Sequence, residues 1–322
     1  MEKGKKHIFV IGNGFDFVLH GLRTKYSDFR DYVLKKYPNA CNYTYLAPSL
    51  TMMPDGGMVM DMNDAAGYIL RVIDECEGDA WSNLEGDLGR GIFDSFISEL
   101  EDVNWDEDDK SIRHAFYTNE DRSSDIKETF RRIKKLFYDW VNDELSNVLE
   151  NASPNSNAQS VFEKYDDKVF LNFNYTETLE QLYGIKDVCH IHGCVGDAEE
   201  DIVFGHGDME QFYDSDDVFG AIDNFIDLKS ELRKDTRKAI SKHQSFFDIF
   251  SEAVDVHSFG FGFGDVDMIY VEKIAETLGV KNRDVVWYLS KYDYNECPAK
   301  GAKSKKDKLE ELGFHVEVER LW

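Results

Sequence analysis

One ten-residue stretch, HIFVIGNGFD at positions 7–16, constrains this chain more than any other. An apolar run from Ile8 to Ile11 breaks into Gly12-Asn13-Gly14 and passes into the helix-like LHGLRTKYSDFRDYVLKKY. Strand, glycine turn and helix in that order open many nucleotide-binding α/β sheets. Glycine lets the backbone turn tightly and bring its N–H groups close to a ligand. The full dinucleotide fingerprint needs a third glycine three residues later, and Phe17 stands there instead. The turn therefore points to a nucleotide or phosphate without naming a reaction, and a tight turn that binds nothing fits the same residues.

Net charge narrows the partners. The chain has 63 acidic and 37 basic residues among 322, a formal charge of −26. That argues against a broad electrostatic grip on nucleic acid or anionic lipid. Arg131, Arg132, Lys134 and Lys135 spread around a helix and read as a solvated face. Five cysteines, without a C-x-x-C pair, read as reduced thiols. The first apolar run is too short for a signal peptide, and no later stretch could span a bilayer. The expected location is the cytoplasm.

The pattern divides into three blocks. Residues 1–39 hold the strand–turn–helix unit. Residues 40–160 have few β-branched runs and read as a helical insertion or lid. Its clearest helix is SSDIKETFRRIKKLFYDWVNDELSNVLE, where Ile126, Phe130, Ile133, Phe137, Trp140 and Val141 recur at helical spacing. From 161 to 322 strands and helices alternate again. Strands are expected at 168–173, 188–192, 202–204, 255–261, 285–290 and 315–321, with a long helix around 226–251. Alternation of this kind predicts an α/β, Rossmann-like fold. Its sheet would be mostly parallel, with helices on both faces, formed by 1–39 and 161–322.

Ligands in such sheets sit beyond the C-terminal ends of the strands. There the sequence delivers Gly12, Asn13, Gly14 and Asp16, then Asn174, then His190 and His192, then His206 and Asp208, then Ser258, Gly260, Gly262, Gly264 and Asp265. Asn174 could equally cap the following helix. His190 and His192, two apart on a strand, would share a face. His190 suits a hydrogen-bonded core histidine. His192, at the strand end, is the better general base. Phe259 and Phe261 suit the core.

Five segments together resemble the AbiH-type phage abortive-infection family: IGNGFDFVLHGLRTKYSDF, WSNLE at 81–85, NFNYTETLEQLY at 172–183, HIHG at 190–193 and FGHGD at 204–208. The resemblance implies a bacterial anti-phage role and no particular reaction. More distantly, the order of glycine turn, Asn-Tyr-Thr, His-x-His-Gly and late glycine loop is similar to sirtuin-like domains, which bind NAD. That likeness implies Gly12, Asn13, Gly14, Phe15, Ser258, Gly260, Gly262 and Asp265 around the cofactor. It implies Asn174 and His192 as catalytic groups. Asp16 stands where sirtuin-like turns carry serine, and the paired cysteines of the sirtuin zinc module are absent, which argues against protein deacylation.

The leading expectation is an effector that cleaves the nicotinamide–ribose bond of NAD. Asn174 would orient water or ribose, His192 would take a proton, and Asp16 would stabilise the cationic sugar. A phage-derived trigger, a defence-system partner and a homo-oligomer fit that class. No metal is expected in it. Two alternatives stay open: a nucleotide-sensing module without turnover, and a metal-dependent phosphoesterase or nuclease using His190, His192, His206, Asp208 and Asp16.

Overall fold

The computed structural model describes residues 5–40, 46–78, 81, 83–106, 108–207, 217–295 and 303–319. The chain forms two compact units. The first comprises Met1–Lys25, Val141–Val203 and Asp235–Trp322, and the second Tyr26–Trp140 and Phe204–Lys234.

The first unit is built on six strands: β1 Lys6–Ile11, β2 Asp167–Asn172, β3 Val188–His190, β4 Ala253–Phe259, β5 Val286–Ser290 and β6 His315–Glu319. They pair in the order β3-β2-β1-β4-β5-β6, and every pairing is parallel. This is the doubly wound, Rossmann-like order, with its reversal point between β1 and β4. Burial explains the apolar run in β1, because Ile8 to Ile11 have no exposed surface. A central parallel strand is covered on both faces and so cannot alternate. Ile8 and Val10 pack with Leu171, Val256 and Trp287 on one face. Phe9 and Ile11 pack with Phe162, Phe170 and Leu179 on the other.

Several expected elements differ. The segment at 202–204 is not a strand; Val203 N–H makes a sheet-like link to His192 O, at 2.8 Å. The third strand stops at His190, so His190 and His192 are not strand neighbours on one face. The long helix around 226–251 is instead Ile222–Leu232, Thr236–Lys242 and Gln244–Asp248, with Asp235 capping the second through Lys238 N–H. The helix of the insertion splits into Asp109–Phe130 and Ile133–Asp143. Thr129 Oγ1 donates back to Asp125 O just before the break, a bond that bends helices.

The second unit is mainly helical and carries a short hairpin, Thr51–Met52 with Met58–Val59. Its WSNLE segment is structural. Trp81 donates its indole N–H to Asp74, which also takes both prongs of Arg30 at 2.8 Å. Glu85 pairs with Lys234, whose side chain is 1% exposed. Ser82 lies outside the described residues. Among the described residues, no helix is long and apolar enough to cross a membrane.

Candidate functional site

The glycine turn meets the late glycine loop backbone to backbone. Gly12 N–H donates to Phe259 O and Gly14 N–H to Gly260 O, each at 3.0 Å, and Phe15 N–H returns to Gly12 O at 2.9 Å. A Cβ on Gly12 would lie 2.5 Å from Gly260 O and Phe261 Cα. Gly260 has φ +66°, and a Cβ there would meet Gly14 Cα at 2.4 Å. These three glycines thus close the strand reversal point by direct contact. The N–H groups of Gly12 and Gly14 are engaged by protein carbonyls and that of Gly260 by the Asp293 carboxylate at 2.7 Å, so they do not line an open phosphate cradle.

The remaining expected cofactor residues spread apart. Asn13 exchanges side-chain bonds with Thr24, donating to its carbonyl and accepting from its hydroxyl. Phe15 is a core residue. Ser258 is fully buried and accepts the indole N–H of Trp287 at 2.8 Å. Gly262 and Asp265 are exposed, and Asp265 reaches Lys308 at 3.1 Å. Phe259 and Phe261 are in the core, as their apolar setting suggests.

A polar cluster does form where β1 and β2 end. Asp16 follows the turn and has no exposed surface. Its Oδ2 accepts the hydroxyl of Thr176 at 2.5 Å, and Thr176 in turn contacts Thr178 at 2.9 Å. Burial raises the Asp16 pKa from 3.8 to about 6, against the opposing pull of Thr176, Thr178, Asn174 and His190. Asn174 does not cap the helix, which starts at Thr178 with Glu177 at its cap position. Instead its Nδ2 donates to Gly12 O at 3.2 Å. Asp16 Oδ1 and Asn174 Oδ1 are both buried, and neither accepts a hydrogen bond of good geometry among the described residues. Two buried acceptors without donors in one cluster are unusual, since such atoms are nearly always satisfied.

The two histidines of HIHG separate by role. His190 Nε2 lies 2.8 Å from Glu180 Oε1 and its Nδ1 3.1 Å from Asn174 O. Burial works against its protonation, but Cys194 and Glu180 outweigh that and raise its pKa to about 10. His190 also lines a cavity of about 500 Å³, with Glu177, Glu180, Cys189, Cys194 and His243. His192 packs instead against Phe173 and Tyr270, with Nε2 3.6 Å from Asp267. It is His190, not His192, that acts electrostatically on Asp16. The bonded-histidine reading of His190 holds, yet this residue is also the link between cavity and carboxylate.

Among the described residues of the first unit, the expected metal ligands Asp16, His190 and His192 do not form a metal-holding group of three. Both ring nitrogens of His206 face backbone carbonyls, of Gly207 and Lys229. Asp208 lies outside the described residues, as do Cys41 and Cys297, while Cys76, Cys189 and Cys194 are free thiols. Thr178 and Glu180, unlike Thr176 at the strand end, are not singled out by the sequence. Their signal is the acidic, threonine-rich run TETLE after the strand, which resembles ordinary helix-start chemistry.

Fold and cluster together define a Rossmann-ordered α/β protein with a buried carboxylate at the end of its first strand. The family described as "Bacteriophage abortive infection AbiH" matches residues 8–289. The chain belongs to the AbiH family. No curated protein and no solved structure matches, so the likeness to sirtuin-like domains rests on motif order alone.

Proposed function

We propose that this protein acts in phage abortive infection by binding a ribonucleotide of the NAD type and hydrolysing its nicotinamide–ribose bond. The observation that carries this reading is the pair of donor-less buried acceptors, Asp16 Oδ1 and Asn174 Oδ1. A ribose presents neighbouring hydroxyls, and two such donors satisfy two acceptors. The chemistry also suits a single carboxylate. Nicotinamide leaves a cationic nucleotide as a neutral base, taking the bond electrons, so no general acid is needed. Water then adds to C1′ and loses a proton. A carboxylate with a pKa of about 6 is mostly ionised at neutral pH, where it can face the oxocarbenium-like state or accept that proton.

In this reading Asp16 takes the central role. Asn174 orients the ribose, and Thr176, Thr178, Asn174 and cationic His190 together favour the ionised form of Asp16 against its burial. His192 serves as a packing and positioning residue. A phage component is the trigger that opens the enclosed cluster to substrate. The test is cellular NAD measured through infection by a phage that the protein restricts. Wild-type protein should drain NAD as infection proceeds, and Asp16→Asn protein at equal abundance should not. Restriction with NAD unchanged would exclude this chemistry and favour the nucleotide-sensing alternative.

A further inference from the structure

A second polar cluster lies in the same unit, toward the opposite ends of the strands. His7 is the second residue of β1, and Asp255, its register partner, and His257 sit on β4. At roughly 3.3 Å of rise per residue, His7 is about 16 Å along the strand from Gly12. One ligand atom from each of His7, Asp255 and His257 lies within 4.8 Å of the other two. We propose that these three residues bind a first-row divalent ion of the zinc type, with Glu319 holding the His257 ring. The proposal does not depend on the nucleotide reading.

Geometry and unmet bonding carry it. His257 has no exposed surface, yet among the described residues neither of its ring nitrogens makes a hydrogen bond of good geometry. Nε2 lies 3.3 Å from Asp255 Oδ1, and Nδ1 lies 3.4 Å from Glu319 Oε2. Ligand distances near 2.0–2.1 Å place two atoms of a tetrahedral set about 3.3 Å apart. The His257–Asp255 separation already has that length. His7 Nδ1 meets Asp255 Oδ1 at 2.6 Å, a hydrogen bond that an entering ion would replace. A carboxylate behind a ligating histidine fixes which nitrogen carries the proton and raises the basicity of the other. Glu319, 3.4 Å from His257 Nδ1, is placed to take up that relation when the ring turns to hold an ion.

Aromatic rings hold the imidazoles in place. Phe9 and Tyr288 both stack on His257, each with ring centroids 4.8 Å apart, and Tyr165 packs on His7 at 4.3 Å. The His7 and Asp255 side chains are 13% and 16% exposed, which gives an ion a way in from solvent. Two imidazoles and one carboxylate suit zinc, cobalt, nickel or iron better than calcium or magnesium.

The test uses full-length, chelator-treated protein titrated with Co²⁺, read by visible absorption, and with Zn²⁺, read by calorimetry. One equivalent should bind with nitrogen–oxygen ligation and raise the melting temperature. His7→Gln and Asp255→Asn should each weaken Zn²⁺ binding by about 100-fold or more. Glu319→Gln should weaken it by roughly 10–100-fold. His315→Gln serves as the control and should leave it unchanged. Folded wild-type protein that takes up no ion would overturn the site. So would binding that survives His7→Gln, or a thiolate–cobalt charge-transfer band.

Discussion

Thr176 donates its hydroxyl to Asp16 Oδ2 at 2.5 Å, tying the ends of β1 and β2 across 160 positions of sequence. The bond holds a fully buried carboxylate in one orientation, and its other oxygen accepts no hydrogen bond of good geometry among the described residues. Such an arrangement is costly for stability, and the cost gives the first prediction.

The Asp16 pKa rises from 3.8 to about 6 on folding, so between these values the folded state holds a proton that the unfolded state has lost. The stabilising contribution is complete below pH 3.8 and gone above pH 6. Burying the charged form then costs about 3 kcal/mol. Asp16→Asn should therefore unfold at higher urea than wild type at pH 7.5, by about 1–3 kcal/mol. The gain should vanish toward pH 4. A variant that is more stable and inactive marks a site kept for function.

His190 titrates in the other half of the range. Its pKa, raised to about 10, stabilises the fold fully below pH 6.5, and that contribution is lost as pH climbs toward 10. His190→Asn should be less stable than wild type at pH 6.5. The gap measured by urea unfolding should shrink steadily up to pH 10. A constant gap would mean that Glu180 and Cys194 do not hold the ring protonated.

The glycine contact separates two kinds of glycine. Gly12→Ala drives a methyl into Gly260 O and Phe261 Cα, and should cost about 1–3 kcal/mol, as overpacking does. Gly262→Ala has nothing within 4 Å and should stay within about 0.5 kcal/mol. Thermal melts of the two variants test this directly.

Within the helical unit, Glu85 and Lys234 form a pair at 3.0 Å around a lysine that is 3% exposed. Glu85→Ala leaves that ammonium in a dry setting without this partner. The expected loss is about 3–5 kcal/mol by urea unfolding. Lys234→Met with Glu85→Leu should recover most of it, because a buried ion pair contributes little net stability over apolar packing.

Much of the α/β unit was legible in the sequence, because buried parallel strands write themselves as apolar runs between helical periods. Ile8–Ile11 and the runs at 168–172 and 286–290 are such cases. The helix breaks near residues 131 and 235 were not legible. They depend on Thr129 bonding back to Asp125 and on Asp235 capping a new helix, choices that leave apolar periodicity untouched. At the site, Asp16 and Asn174 could be named from their positions at strand ends. The reason for the glycines could not, since a turn that cradles phosphate and one that packs on another glycine use the same residues. His7 and Asp255 escaped notice because strand pairing, not spacing, brings them together across 248 positions.

The account depends most on the Asp16–Asn174 cluster being where a ribosyl bond is cut. The most direct measurement is release of nicotinamide from NAD by protein purified from infected cells, with wild type, Asp16→Asn and His192→Gln compared. The account predicts release by wild type, at least about 100-fold less with Asp16→Asn, and a modest loss with His192→Gln. Release that is unchanged by Asp16→Asn, or no release from folded wild-type protein taken from cells in which it has stopped phage, would contradict it.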